Sequence, residues 1–227
     1  MVEPLSWWQL PDHVRSRVES SLGSEVVEAV MQTGGYSQGA KARIRTRKGR
    51  RAFVKALSVD RNAPSVELYR TEAEVMPHLP AGLPVPRLLD AYDDGTWVAL
   101  VMEDIEGHPP AIPWDHRELD RVAGAITDLR VALDPSPWPD APTFAEFNGG
   151  VVQAWRDLVA SPPPDLDPSI RRMVDRLAAE RVDLVEVGRG DALLHDDIRS
   201  DNLLLTPDGR VVFVDWGCPA REPSGKT

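Results

Sequence analysis

Cysteine is nearly absent: Cys218 is the only one in 227 residues. No internal disulfide can form, and a reducing cytoplasm is the expected compartment. Long apolar runs are lacking too. Nothing approaches the roughly 20 residues that cross a bilayer as a helix. The opening stretch MVEPLSWWQLPDH has no basic segment followed by an apolar one, so no signal peptide is expected. Positive charge is scarce, with 26 Lys and Arg against 36 Asp and Glu and a formal charge of −10. Such a chain is a poor general partner for nucleic acid or an anionic membrane, and it favours a cationic small molecule. Internal repeats and low-complexity tracts are likewise missing.

What remains is ordinary for a globular protein: 42% apolar and 27% charged residues. The length suits one large domain or two lobes sharing a cleft. Charge is unevenly spread. Met1 to Lys55 hold 10 basic and 5 acidic residues, and the remainder 16 basic and 31 acidic. Most of the basic excess lies in KARIRTRKGRR, where Lys41, Arg43, Arg45 and Arg47 alternate with smaller residues. That period of two predicts one solvated face of a strand rather than a nucleic-acid patch.

The pattern of elements changes along the chain. PDHVRSRVESSLG has Val14, Val18 and Leu22 at helical spacing and Gly23 to stop it. EVVEAVMQ, KARIRT and RAFVKAL read as three antiparallel strands, with the turn GGYSQG after the first and Gly49 in the second turn. SVELYRTEAEVMPHLP predicts a helix, and PRLLDAYDDGTWVALVME two strands around Asp94 and Gly95. The Pro-rich EGHPPAIPWD then marks a linker. From Asp115 to about Val185 the apolar spacing is helical, interrupted by DPSPWPDAP and SPPPDLDP. NLLLTPDGRVVFVDW closes the pattern as a hairpin around Asp208 and Gly209. The fold class is therefore α+β: an N-lobe (1–104) of antiparallel sheet plus helix, and a mainly helical C-lobe (105–227).

The chemistry concentrates in LLHDDIRSDNLLL and the hairpin behind it. Asp197 is followed five residues later by Asn202 and eighteen later by Asp215 in VDWG. A bland alternative is a polar turn between strands. Phosphoryl transfer, however, needs this set: one carboxylate for the acceptor hydroxyl, and an amide oxygen plus a second carboxylate for Mg²⁺. The order His-x-Asp-apolar-x-x-x-Asn, then Asp-aromatic-Gly, is met by His195, Asp197, Ile198, Asn202, Asp215, Trp216 and Gly217. The front half holds the partners such a site needs, in the right order: a glycine-rich turn, Lys55 on the third strand, and Glu72 or Glu74 on the next helix.

These stretches, with RTEAEVMPHLPAGLPVPRLLDAY and VALVMEDIEG, resemble the aminoglycoside phosphotransferase and choline-kinase-like family from about Glu25 to Cys218. The resemblance implies a protein-kinase-like two-lobe fold and a small-molecule kinase using ATP (or GTP) and Mg²⁺, with transfer to an acceptor hydroxyl. It implies that Asp197 is the catalytic or substrate-orienting carboxylate and that Asn202 and Asp215 are metal ligands. Lys55, oriented by Glu72, would meet the α- and β-phosphates. Gly34, Gly35, Ser37 and Gly39 would cover the phosphates with backbone N–H groups. The backbone of Glu103 and Ile105 would read the base. Arg199 would bring positive charge to the transferred group or simply pair with Asp201.

Two departures stand out. Asp196 occupies a position where the family prefers glycine. After Gly217 only ten residues remain, where the family continues with helices that shape the acceptor pocket, so a truncated C-lobe is expected and a folded but inert nucleotide-binding protein is the alternative. Minor signals carry less. SGKT at the end lacks the earlier glycine of a phosphate loop. His13, His78, His108 and His116 show no metal-ligand spacing, and a phosphohydrolase built on His195 and Asp196 would need further histidines. Trp114 and Trp138 would either stack on an acceptor or pack in loops. Cys218 is expected to pack rather than react.

Overall fold

The computed structural model describes residues 4–32, 38–179 and 190–222. Its helices are α1 (Asp12–Leu22), α2 (Val59–Val75), α3 (His116–Ala132), α4 (Phe144–Ala160) and α5 (Pro168–Ala179). Its strands are β1 (Val26–Met31), β2 (Ala40–Thr46), β3 (Arg51–Ser58), β4 (Leu88–Asp93), β5 (Trp97–Met102), β6 (Leu193–Leu194), β7 (Leu203–Leu205), β8 (Val211–Phe213) and β9 (Ala220–Arg221). Two compact units result: Met1–Ala132 with His195–Pro219, and Leu133–Leu194 with Ala220–Thr227. The lobe boundary expected after residue 104 falls inside the first unit.

The first unit is built on a five-stranded antiparallel sheet in the order β1-β2-β3-β5-β4. Gly49 and Gly95 take positive φ (81° and 88°) in its turns, a conformation that spares glycine the Cβ clash. Strand alternation sorts the side chains by face. Ala42 and Ile44 of β2, Ala52 and Val54 of β3, and Val101 of β5 pack with Trp7 and with Val14, Val18 and Leu22 of α1. Each fully buried Val or Leu there contributes about 1.5–3 kcal/mol. α1 stops at Gly23, which adopts the left-handed conformation (φ 67°) and donates its N–H to the Ser20 carbonyl at 3.1 Å.

The opposite face carries Lys41, Arg43, Phe53 and Lys55, and there the sequence expectation needs correction. Arg45 and Arg47 are exposed and paired with Glu28 and Glu25, as a solvated face should be. Lys41 and Arg43 are half-buried and line a cavity. The same alternation serves both, because the strand passes from solvent at one end to the cavity at the other.

α2 packs against β3 and β5 and begins earlier than its apolar spacing suggests. The backbone breaks at Asn62 (φ −163°, ψ 87°), whose side chain accepts from the Ser65 N–H at 3.0 Å. That acceptor caps the stretch where the helical pattern starts, with Pro64 in its first turn. The β7–β8 hairpin turns at Gly209 (φ 89°) and packs on α3. Two backbone bonds between His108 and Leu205, 3.1 and 2.8 Å, pin the Pro-rich stretch to it.

In the second unit, Thr143 caps α4 through a reciprocal pair of bonds with Glu146. The β6–β9 pairing, Leu193 with Arg221 and Leu194 with Ala220, is too short to leave a periodic signal. Trp138, weighed above as a stacking platform, is buried with Leu133, Ala141 and Leu193 in this unit's core.

Candidate active site

Lys55 is nearly inaccessible, and its ammonium contacts three carboxylate oxygens. Glu72 Oε1 and Oε2 lie at 2.9 and 2.7 Å, and Asp215 Oδ1 at 2.6 Å. β3 supplies the lysine, α2 the glutamate, and the segment after β8 the aspartate. Burial alone would push the ammonium pKa down, but the two carboxylates outweigh it and hold Lys55 above its ordinary value. Glu72 is fully buried, which drives its carboxyl up, with Lys55 opposing. Burial also acts to raise Asp215, yet the ammonium prevails and its carboxyl lies below the usual range. The Trp216 N–H donates to Glu72 Oε1 at 3.2 Å and adds a second donor.

The segment around Asp215 is shaped to make these contacts. Asp215 has φ 69°, in the left-handed region that non-glycine residues rarely occupy. Gly217 lets the chain run close to α2: a Cβ there would sit 3.0 Å from the Leu68 carbonyl oxygen. His195 packs against Trp216 with ring centroids 4.6 Å apart and the planes tilted by 58°, and donates from Nε2 to the Val214 carbonyl at 3.0 Å. Burial lowers its pKa, and the ring acts as a prop for the loop.

Asn202 organises the loop that bears Asp197. Its side-chain amide donates to the Asp197 carbonyl at 2.9 Å and to Asp197 Oδ2 at 3.0 Å. Its backbone carbonyl accepts from the Val214 N–H at 3.0 Å, which ties the loop to the segment bearing Asp215. With the NH₂ group committed, the amide oxygen is the atom that could meet a cation. Arg199 makes the ion pair with Asp201 weighed from sequence and also reaches toward Asp197. It grips Asp201 through two bonds of 3.0 and 3.1 Å and approaches Asp197 Oδ1 at 3.4 Å. Asp196 also has positive φ, 56°, which explains why glycine suits that position and why Asp, tolerant of this conformation, can replace it.

A cavity of about 240 Å³ opens beside these groups. Lys41, Phe53, Lys55, Met102, Asn202 and Asp215 line it, with the 103–105 segment along its edge. Asp197 stands outside its lining, joined to it through Asn202. The donor set fits Mg²⁺, which binds through one or two protein oxygens and completes its shell with water and phosphate. Among the described residues no group of three or more His, Cys, Asp or Glu could hold a metal unaided.

The remaining expected residues divide three ways. Gly34, Gly35 and Ser37 lie outside the described residues. Gly39 is buried, and a Cβ on it would come within 2.5 Å of the Ala56 carbonyl oxygen, so sheet packing itself requires glycine there. Glu103 donates its N–H to the Arg87 carbonyl at 2.9 Å. The Ile105 carbonyl accepts from the Arg43 guanidinium. Burial pushes the Cys218 thiol up to about 11, in keeping with a packing role.

Lys41, Arg43 and Asp104 carried no site role in the sequence reading. Asp104 has a buried side chain held by Arg43 Nε and Arg51 Nη2, each at 2.7 Å. Lys41 sits directly opposite Lys55 in the β2–β3 register, and burial lowers its pKa. A signal for Lys41 was present. A hairpin turning at Gly49 pairs positions 41 and 55, so a cavity lysine on β3 places its neighbour on the same face.

Residues 33–219 match the phosphotransferase enzyme family. An aminoglycoside 3'-phosphotransferase of Streptomyces fradiae is 30% identical over 137 residues, 56% of this chain and 48% of that protein. The chain thus spans about half the length of this curated relative. A crystal structure of aminoglycoside-3'-phosphotransferase of type VIII is similar over 92% of this chain and 78% of its own, with 25% identity and a TM-score of 0.56.

Proposed function

We propose that this chain, which belongs to the phosphotransferase enzyme family, carries the site of a small-molecule kinase that moves the γ-phosphate of ATP or GTP to an acceptor hydroxyl. The observation that carries this reading is the buried Lys55 gripped by Glu72 and Asp215 at the edge of a cavity. A buried ammonium needs compensation, and two carboxylates give it more than stability requires. The excess makes sense where anionic phosphates and a divalent cation enter the same space.

Each residue then has a task. Lys55, kept cationic, meets the phosphate oxygens, and Glu72 holds its position. Asn202 Oδ1 and the Asp215 carboxylate are the groups that would hold Mg²⁺. When bound, the ion would neutralise charge on the phosphates. Asp197, aimed by Asn202 and Arg199, accepts the acceptor's hydroxyl proton. The hydroxyl oxygen bonds to the γ-phosphorus as the bond to the departing diphosphate breaks. Arg199 adds positive charge where the transferred group carries negative charge.

The relatives are named for aminoglycosides, and the net charge of −10 suits a polycationic acceptor. The test is transfer of γ-labelled phosphate from ATP and from GTP to aminoglycosides, a choline-like amine and a neutral sugar. Labelled aminoglycoside is the expected product. Nucleotide binding without transfer to any acceptor would overturn the kinase reading.

A further inference from the structure

The 103–105 segment lines the cavity, and its backbone groups are unequally available. The Glu103 N–H is spent on Arg87. The Ile105 carbonyl is spent on Arg43. The Glu103 carbonyl and the Ile105 N–H have no intramolecular partner among the described residues. An acceptor followed by a donor is therefore left available in the segment that lines the cavity, and the next acceptor already carries a guanidinium.

Arg43 is held firmly in that role. Its Nε lies 2.7 Å from Asp104 Oδ1 in an ion pair without hydrogen-bond alignment, while another guanidinium nitrogen donates to Ile105. Asp104 is buried and is fixed from the other side by Arg51. The guanidinium is thus a built part of the cavity wall, in a charge-assisted bond that a neutral donor displaces only at a cost.

Purine edges differ in the order of their groups. Adenine presents the N6 donor and then the N1 acceptor. Guanine presents the O6 acceptor and then the N1–H donor. Adenine matches the Glu103 carbonyl and Ile105 N–H directly. Guanine matches only after sliding one step, with O6 on the Ile105 N–H and N1–H on the Ile105 carbonyl. Arg43 occupies that carbonyl and would set a cation against a donor.

We propose that Arg43, by capping the Ile105 carbonyl, restricts the base site to adenine over guanine. This rests on the reading of the cavity as a nucleotide site and narrows it from two nucleotides to one. Arg43 is a specificity-determining residue that acts through the backbone it holds. An unpaired buried donor lowers affinity on the order of tenfold to a hundredfold.

The test is calorimetric titration of the full chain with Mg²⁺ and ADP, GDP or inosine diphosphate. Inosine keeps guanine's O6 and N1–H edge without the 2-amino group, so it separates edge matching from steric bulk. Wild type is expected to bind ADP at least about tenfold more tightly than either competitor. Arg43→Met should bring all three within about threefold. Arg51→Met, which disturbs the same Asp104 pair but leaves Ile105 capped, should keep the wild-type ratio. Equal wild-type affinity for ADP and inosine diphosphate would overturn the proposal even if no variant folds. So would an unchanged ratio in folded Arg43→Met. Failure of all three nucleotides to bind wild type would refute the nucleotide reading itself.

Discussion

Replacing Lys55 with Met removes the ammonium and leaves Glu72 fully buried, with the Trp216 N–H at 3.2 Å as its remaining donor. Removing one member of a buried ion pair costs about 3–5 kcal/mol, because the other charge stays without compensation. In a chain of this size each kcal/mol shifts the melting temperature by about 2–4 °C. A fall of about 6–20 °C follows. Adding Glu72→Leu removes the stranded carboxylate and should restore most of the loss, since Asp215 is 38% exposed and water can reach it. The pH response distinguishes the cause. In wild type Lys55 lies above its ordinary 10.5, so its contribution is fully present below that pH. In Lys55→Met, Glu72 is raised by burial with nothing cationic to oppose it. The folded form then binds the extra proton, and stability falls as pH rises above about 4.5. Thermal melts followed by circular dichroism without nucleotide, from pH 4.5 to 8, measure both effects. A loss under about 1 kcal/mol, or further destabilisation by Glu72→Leu as large as the first, would refute the reasoning.

Substitutions at Asp215, at two glycines and at Asp196 have further expected outcomes. Asp215→Ala should abolish the Mg²⁺-dependent gain in nucleotide affinity while leaving weaker Mg²⁺-free binding, read by titration with Mg²⁺ or with chelator. Gly39→Ala should lower stability by about 1–3 kcal/mol in nucleotide-free melts, because its Cβ would meet the Ala56 carbonyl; Gly149→Ala in α4, with open space around it, should gain up to about 1 kcal/mol. Asp196→Gly should melt no lower than wild type, whereas Asp196→Val, a β-branched residue at φ 56°, should lose about 1–2 kcal/mol.

The fold and the loop that carries Asp197 and Asn202 were legible because their determinants are local. Gly49, Gly95 and Gly209 mark turns by needing positive φ, and the alternation in β2 and β3 marks strands. The spacing from Asp197 to Asn202 to Asp215 survives because a fixed loop and hairpin join them. What escaped depends on contacts remote in sequence. Alternation groups Lys41 with Arg45 on one face but cannot tell that the face meets a cavity at one end. Asp104 reads as one acid among many, because its burial comes from Arg43 and Arg51, more than 50 residues away. Placing β5 between β3 and β4 is likewise a nonlocal choice that hairpin signals do not specify. In α5 the helical spacing predicted the helix, yet Ile170, Met173 and Leu177 are exposed and Val174 is buried. Periodicity names a face without naming what lies against it.

In the proposed kinase, Asp197 serves the chemistry while the cavity beside it serves the nucleotide. The most direct measurement pairs turnover with nucleotide affinity in Asp197→Ala and wild type, on the same preparations. Loss of general-base function predicts transfer reduced by at least about 10²-fold with nucleotide affinity within a few-fold of wild type. Near-normal transfer by Asp197→Ala would contradict the account.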